Sequence, residues 1–453
     1  MNYPTIFRNI REIPPAPRRF LLFTGINVFS WQCIVGQALV LFGRSLDMPP
    51  SWIGTLLSFM PLSMLFVIFS IPAVQVLGPR KLMTITWLTR NFFAVFVFTI
   101  PFALKIWGRE AAWYILLFST GGFSLARAFG VGSWYPWLHE IVPQPILGTY
   151  FAIETIIVQS ISVVLTLGIG KILGLTEQLY RFYWVYAIGI SAGLISILYM
   201  RRIPGGMSTS EKSATVKESF SVIFRALKDT QYIRFIFFII FSMASFMWIS
   251  IASILYLRDI LGYTDTIIMY FFAVAAVLIA ITVRFWVRQA EKFGSEKIMA
   301  ILMATQILVA VLWICVSPGK PWTFALALTT VALGGSINAG FSIISCRGMM
   351  TLVPHENRVG YTSLWIMAIS VANGVPPIIA GWLIDIFHLA GFLSCFLLSA
   401  GFALCLSVLW WHFRFEVRTQ PMANLHHIIR PTQPLRALGR IIWLIFGRGS
   451  GKE

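Results

Sequence analysis

The sequence predicts an all-α integral membrane protein of twelve transmembrane helices in two pseudo-symmetric six-helix halves. The 453-residue chain is 58% hydrophobic and 11% charged, with a mean hydropathy of +0.79. Soluble globular proteins are typically about 45–50% apolar and about 25% charged. The apolar residues also gather in twelve runs, each close to the roughly 20 residues that a helix needs to cross a bilayer. A third observation, an internal repeat, predicts the two halves and is described below.

Each predicted span is a continuous apolar run, which excludes transmembrane strands of about 9–11 alternating residues. The spans cover approximately 20–43, 52–77, 82–105, 112–137, 147–170, 181–200, 233–257, 266–287, 297–317, 322–346, 360–384 and 389–412. They divide the chain into an N-terminus (1–19), a first half (20–200), a linker (201–232), a second half (233–413) and a basic tail (414–453). Apolar residues at helical spacing in the linker and in the tail predict one helix lying on the membrane surface in each.

The basic residues predict the orientation of the chain in the membrane. The net charge of +18 would suggest a nucleic-acid partner in a soluble protein, but here Lys and Arg separate the apolar runs. The side that holds both termini collects 25 of the 35 Lys and Arg residues, and the opposite loops hold 7. This excess predicts cytoplasmic termini. Because the chain has no N-x-S/T acceptor, we expect a bacterial inner (plasma) membrane, the lipid bilayer as a partner and no nucleic acid.

The reactive residue types form no pattern that is typical of an enzyme. The five cysteines fall inside predicted spans without metal-ligand spacing, and the six histidines lie in loops, at span ends or in the tail. The sequence contains no nucleotide-binding loop. We therefore expect no catalytic residues, no metal and no cofactor, and we expect a protein that is not an enzyme.

Several landmarks recur in the same order in the two halves of the chain. The repeated residues are Gly121–Gly122 and Gly334–Gly335 (offset 213), Val142–Pro143 and Val353–Pro354 (offset 211), Gly148 and Gly360 (offset 212), and Gly78 and Gly294 (offset 216). Together with the central linker, they predict two parallel six-span halves. Transporters built in this way place their substrate site between the halves, near the middle of the bilayer.

From residue 20 to residue 413 the chain resembles the major facilitator superfamily. The family's signature is a G-x-L-A-D-R-x-G-R-R loop after span two, echoed after span eight. This chain keeps Gly78, Arg80 and Lys81 in the first copy and Glu291, Lys292 and Gly294 in the second. Gln75 stands at the acidic position of the first copy, so the architecture supports the resemblance better than the motif does. The resemblance implies a secondary transporter that works by alternating access, with these two loops in the gate.

Two charges inside the first half are the leading functional candidates. Arg127 and Glu154 lie in spans four and five, at about equal distances from the turn between them. We expect them within pairing reach on adjacent antiparallel helices, because an unpaired charge is costly in lipid. Arg127 would bind an anionic group or form a structural pair with Glu154. Glu154 would bind a proton, and a substrate that competes for Arg127 would change its protonation. Alternatively, Glu154 would only form the structural pair with Arg127.

Four further residues are candidates for the substrate cavity by their position in the predicted spans. They are Asn27 and Trp31 on span one, Trp248 on span seven and Asn338 on span ten. For Asn27, a hydrogen bond between helices is the alternative. Arg90 on span three is expected to form an ion pair or to contact a helix carbonyl, and Pro376–Pro377 are expected to break span eleven.

The function predicted from the sequence is secondary transport of a small organic solute by a monomer, with protons as a possible second substrate. Arg127 favours an anionic solute. The alternative is a transporter-like sensor or scaffold that binds a ligand without moving it. The two-half organisation makes a channel less favoured.

Overall fold

The computed structural model describes residues 13–143, 146–207, 224, 226–353 and 358–413. Within these residues, twelve helices are long and apolar enough to cross a membrane. They are α1 (Pro15–Ser45), α2 (Pro50–Phe69), α3 (Pro79–Ile106), α4 (Arg109–Ile141), α5 (Ile153–Leu173), α6 (Tyr180–Met200), α7 (Thr230–Ile260), α8 (Asp265–Phe293), α9 (Ser295–Cys315), α10 (Thr323–Leu352), α11 (Tyr361–Phe387) and α12 (Leu389–His412). The helical turns of α5 begin at Leu147 and those of α11 at Arg358.

Several of these helices change geometry along their length. The first is interrupted at Gly36, and α2 ends in the 3-10 segment Met64–Phe69, which is followed directly by the short helix Ser70–Leu77. The last part of α4 is the separate short helix Trp134–Ile141. The end of α7 is π-helical over Tyr256–Ile260. Such irregular turns inside membrane helices often occur at functional positions.

The packing of the helices shows the predicted two-half pseudo-symmetry. In the first half (α1–α6), α1 packs on α5 and α6, and α4 packs on α2 and α3. In the second half (α7–α12), α7 packs on α11 and α12, and α10 packs on α8 and α9. The halves meet along two seams, α2 with α11 and α5 with α8, which exchange places under the same correspondence. The predicted fold class is therefore confirmed.

Glycines set the close approach of α3 and α4. A methyl group at Gly122 would overlap the ring of Phe93, and one at Gly130 would overlap Trp87 and the Thr86 hydroxyl. Small residues of this kind let helix backbones approach closely in a membrane, where packing rather than the hydrophobic effect drives association. The two contacts fix an antiparallel register that places Arg90 beside the α4 turn carrying Arg127.

The predicted break in α11 is wrong. The helix continues from Arg358 to Phe387 with Pro376 and Pro377 inside it. Proline removes an intrahelical hydrogen bond, but the helix stays continuous. Next to the two prolines, the buried Ser58 hydroxyl of α2 donates to the Gly374 carbonyl at 2.5 Å.

The two predicted surface helices lie largely outside the described part of the chain. The linker prediction falls mainly on residues 208–223, and the tail prediction falls on residues after 413. The division into a linker and a tail therefore stays a prediction.

Candidate functional site

Arg127 lies on the face of α4 that points into the protein. Nine residues separate it from the lipid-exposed Phe118, which at 100° per residue places the two side chains on opposite faces. Its guanidinium is part-buried, and Nη1 lies 4.0 Å from the sulfur of Met64 on α2. A thioether is a weak acceptor, so this contact does not compensate the charge.

Glu154 lies at the interface of α1 and α5. It accepts a long hydrogen bond of 3.4 Å from the Thr24 hydroxyl, and Gln32 donates to Ser162 at 2.6 Å further along the same two helices. Both bonds join residues 130 positions apart, as parallel helices require. The carboxylate is partly exposed, and no cation lies within ion-pair distance of it among the described residues.

The predicted ion pair between Arg127 and Glu154 is wrong in this structure. Chain order suggested adjacent helices, but α4 packs on α2 and α3, whereas α5 packs on α1 and α8. The part of the chain that the structure describes contains no ion pair between the two residues. Two charges of opposite sign therefore stand apart inside the first half, each without a counter-ion among those described residues.

Arg90 makes neither the ion pair nor the helix-carbonyl contact expected for it. The side chain has no exposed surface. Its Nη2 donates to the Asn27 Oδ1 at 2.7 Å and to the Ser30 hydroxyl at 3.3 Å. The guanidinium stacks over Trp87, with its central carbon 4.3 Å from the ring centroid. Its Nε and Nη1 have no hydrogen-bond partner among the described residues.

The close α3–α4 contacts at Gly122 and Gly130 place Arg90 beside the α4 turn that carries Arg127, so two positive charges lie in the same region of the first half. Neither has a carboxylate within ion-pair distance in the described parts of the chain. Removing a charge from water is costly unless it is paired, and like charges add to that cost. The arrangement is therefore electrostatically suited to an anion.

The surroundings of Glu154 connect it to the space between the halves. Tyr135 lies within electrostatic reach of both Glu154 and Cys346, and Cys346 belongs to α10 of the second half. Tyr150 is also near the carboxylate, and its buried hydroxyl has no partner among the described residues. Tyr135 is exposed and Glu154 is partly exposed, whereas Tyr150 is buried, so a solute that entered between the halves would meet Tyr135 and the carboxylate.

The other predicted cavity residues have different surroundings. Asn27 is 7% exposed and accepts from Trp87 Nε1 at 3.1 Å as well as from Arg90, so it joins α1 to α3. Trp248 is 7% exposed and stacks on Phe402, and its Nε1 has no partner in the described residues. Trp31 and Asn338 are both partly exposed. Asn27 thus has the alternative role of bridging helices, and roles in substrate binding stay predictions.

The loop after α2 contacts the segment that follows α6. The Arg80 backbone N–H donates to the Gly206 carbonyl at 3.1 Å, and its guanidinium donates to the Arg201 carbonyl. Glu140 accepts from the Gly206 N–H at 2.7 Å. These contacts join the first half to the first residues of the linker, so the described bonds of Arg80 hold the start of the linker and do not cross to the second half.

The two predicted gating loops share one backbone geometry. Gly78 has φ 77° and ψ 150°, and Gly294 has φ 91° and ψ 148°. A positive φ is readily adopted only by glycine, which explains why both copies keep it. In both loops the glycine ends one helix and begins the next. The Lys81, Glu291 and Lys292 side chains are exposed.

A group of ion pairs between the halves was missed from the sequence. At the end of the bundle opposite the termini, the Arg44 Nε lies 2.9 Å from Asp259, and the Arg181 Nη2 lies 2.5 Å from Asp265. Asp265 also has the Arg258 Nε at 3.4 Å. Three of the seven basic residues on the side opposite the termini belong to this group. Their presence on a side with few charges could have indicated these ion pairs from the sequence.

Arg258 and Asp259 can both act across the interface because of the π-helical turn at the end of α7. Arg258 donates to the Leu41 carbonyl at 2.7 Å and to the Ser45 hydroxyl at 2.9 Å, both on α1. The wider turn brings consecutive residues closer to one face than an α-helix does. We call Arg44, Arg181, Arg258, Asp259 and Asp265 the inter-half ion-pair cluster.

Comparison with known proteins agrees with this architecture. Residues 285–448 match the family described as Major Facilitator Superfamily. The fold resembles that of the nucleoside transporter NupG, with a TM-score of 0.65 and 13% identity, over 88% of this chain and 100% of the other. The family match thus covers part of the second half and the end of the chain, and the solved structure shares the fold of the whole bundle. The chain's twelve membrane-length helices have the arrangement found in multi-pass transporters.

Two further solved structures show the same fold. A D-xylose–proton symporter has a TM-score of 0.63 and 14% identity, over 89% of this chain and 98% of its own. A bacterial homologue of the human lysosomal transporter Spinster, inward-facing and unoccupied, has a TM-score of 0.65 and 13% identity, over 87% and 95% of the two chains. A search of curated proteins found no match. At these identities the likeness to solved structures shows the fold alone.

Proposed function

We propose that this protein is a secondary transporter that moves a small organic anion across a bacterial inner membrane by alternating access, and that Arg127 binds the anion. The observation that carries the proposal is the pair of neighbouring guanidinium groups, Arg90 and Arg127, with no carboxylate partner among the described residues. Arg127 is the partly exposed member of the pair, so it is the one that a solute reaches. Arg90 stays behind it and raises the local positive potential.

The inter-half contacts support a definite position in the transport cycle. The ion-pair cluster joins α1 and α6 of the first half to α7 and α8 of the second at the end opposite the termini. With cytoplasmic termini, as the distribution of Lys and Arg predicts, this is an inward-facing arrangement with its outer end closed. Breaking these pairs would then be part of opening to the outside.

Glu154 is proposed as the coupling group. Its carboxylate has one weak hydrogen bond and no cation within ion-pair distance among the described residues, so it can bind a proton without first breaking an ion pair. In the outward-facing state the halves rotate, and the environment of Glu154 beside Tyr135 changes with them. The D-xylose–proton symporter with the same fold makes proton coupling a reasonable class to test.

The proposal is tested by ligand binding and transport with matched arginine variants. A thermal-shift screen of small carboxylates, phosphates and sulfates on the purified protein identifies ligands, because a ligand that binds only the folded state stabilises it. For each ligand found, Arg127→Gln should weaken binding at least about tenfold, since a hydrogen bond to a charged group contributes about 1.5–3 kcal/mol. Arg127→Lys should retain part of the affinity.

Arg288→Gln is the matched control, because Arg288 is an exposed arginine near the end of α8. It should bind and transport like wild type. Uptake into proteoliposomes then separates the two function classes: binding with no flux under any gradient would favour the sensor or scaffold. Unchanged anion affinity in Arg127→Gln would contradict the proposed role of Arg127.

A further inference from the structure

The seam between α2 and α11 carries a feature that transport chemistry does not use. Near the sealed end the two backbones touch. A methyl group at Gly54 would overlap the Pro377 carbonyl, and one at Gly381 would overlap the Pro50 carbonyl. Across the same seam, the Ser51 hydroxyl donates to the Asp385 carboxylate. This edge of the interface must separate and close again whenever the halves move.

A groove of about 470 Å³ lies along this seam. Its walls are Ser51, Trp52, Thr55, Ile378, Ile379 and Trp382. Trp382 is 55% exposed and Trp52 is 37% exposed, as expected for tryptophans at the boundary between the bilayer and water. The groove is therefore open to the membrane and lies at headgroup depth, with an apolar floor formed by the two isoleucines.

A negative charge stands at the mouth of the groove. Asp385 lies one helical turn beyond Trp382, and the Ser51 hydroxyl is its hydrogen-bond donor. No Arg, Lys or His among the described residues lies within ion-pair distance of it. By contrast, the other described aspartates at this end, Asp47, Asp259 and Asp265, each have an arginine.

We propose that this groove binds a phospholipid whose headgroup carries a primary amine, with the ammonium group at Asp385 and an acyl chain along Ile378 and Ile379. An ammonium complements the unpaired carboxylate and donates several hydrogen bonds. The two tryptophan rings provide the amphipathic rim that headgroup depth favours. A choline headgroup has a cation but no N–H donor, so it satisfies the carboxylate less well. Because the site spans the seam, the lipid stabilises the sealed end.

Native mass spectrometry of the full-length protein tests this proposal. The protein is purified from vesicles of phosphatidylethanolamine, phosphatidylcholine and phosphatidylglycerol in equal amounts, and the retained lipids are compared. Wild type should retain phosphatidylethanolamine about tenfold over phosphatidylcholine, the ratio expected when one charge-assisted hydrogen bond decides. Asp385→Asn keeps an acceptor for Ser51 and should remove most of this preference.

Asp47→Asn provides the control, because it removes an acid at the same end that already has Arg109 as a partner. This variant should keep the wild-type lipid ratio. Trp382→Ala should lower total lipid retention without changing headgroup preference. Equal retention of the two zwitterionic lipids by wild type, or an unchanged ratio in Asp385→Asn, would overturn the proposal. Neither result depends on the substrate or on Arg127, so the proposed function is tested separately.

Discussion

The arginines at the sealed end and those inside the first half have opposite surroundings. Arg44, Arg181 and Arg258 each face a carboxylate of the other half or of their own. Arg90 and Arg127 face aromatic rings, amide and hydroxyl oxygens and a thioether. The first group can be satisfied within the protein in one conformation and released in another. The second lacks a counter-ion within the described residues, which is the situation that an anionic ligand relieves.

This comparison separates two uses of the same residue type in a membrane. Ion pairs between halves contribute differently to the two end states of a transporter, so they shift a conformational equilibrium. Unpaired charges raise the energy of the protein without ligand. An anionic ligand supplies the missing counter-charge, so part of that energy is released when it binds. Four substitutions test the comparison, beginning with the largest expected effect.

The first prediction concerns Asp265, whose side chain is 4% exposed and serves two arginines. Asp265→Asn leaves Arg181 and Arg258 without their shared carboxylate. Losing one partner of a buried ion pair costs about 3–5 kcal/mol, so thermal unfolding should occur at a clearly lower temperature. Cysteine labelling of Ser45→Cys from outside should also become faster, because the sealed end opens more often.

The double variant Arg181→Gln/Asp265→Asn should be more stable than Asp265→Asn alone, since it removes one of the two arginines left unpaired. If the single variant unfolds and labels like wild type, these residues do not hold the end closed.

The second prediction supplies the missing counter-charge inside the first half. Asn27→Asp places a carboxylate where Arg90 Nη2 now donates at 2.7 Å, and we expect a higher unfolding temperature together with weaker anion binding. Asn27→Leu removes the acceptor of both Arg90 and Trp87 and should destabilise by about 1–3 kcal/mol. A fall in stability in Asn27→Asp would mean that Arg90 is not short of negative charge.

The third prediction compares two glycines by the space beside them. Gly54→Ala places a methyl group against the Pro377 carbonyl of α11. This carbonyl belongs to the backbone, so it cannot move aside as a flexible side chain could. Overpacking of this kind typically costs about 1–3 kcal/mol, and transport should slow because the seam no longer closes. Gly168→Ala has no atom within 4 Å of the added methyl and should be neutral or slightly stabilising. Equal effects of the two variants would show that the close contact at the seam is unimportant.

The smallest effect is expected at the exposed pair of Asp47 and Arg109, whose side chains are 60% and 68% exposed. Asp47→Asn should change the free energy of unfolding by less than about 1 kcal/mol, because water screens such pairs. Thermal unfolding at low and high salt measures this directly. A loss as large as that in Asp265→Asn would break the distinction between buried and surface pairs at this end.

The twelve membrane-length helices and the two-half fold could be predicted from the sequence alone. The helices follow from the length and continuity of the apolar runs, which are local properties of the sequence. They predict helices because polar backbone groups that are exposed to lipid must form hydrogen bonds within the same segment. Part of the repeat could also be recognised in the sequence, because Gly78 and Gly294 both adopt a positive φ that other residues rarely adopt. Arg127 and Glu154 could be identified as unusual charges for the same reason: each interrupts an apolar run.

The tertiary structure decided which charges meet. Arg127 and Glu154 lie on consecutive helices that pack on different partners, whereas Arg44 and Asp259 are 215 residues apart and form an ion pair. The continuity of α11 through Pro376 and Pro377 likewise was not predicted from the sequence, because proline only weakens a helix that is packed against its neighbours. The order of helices in space is set by close contacts such as Gly54 with Pro377, and a linear pattern of polarity does not specify which surfaces fit together.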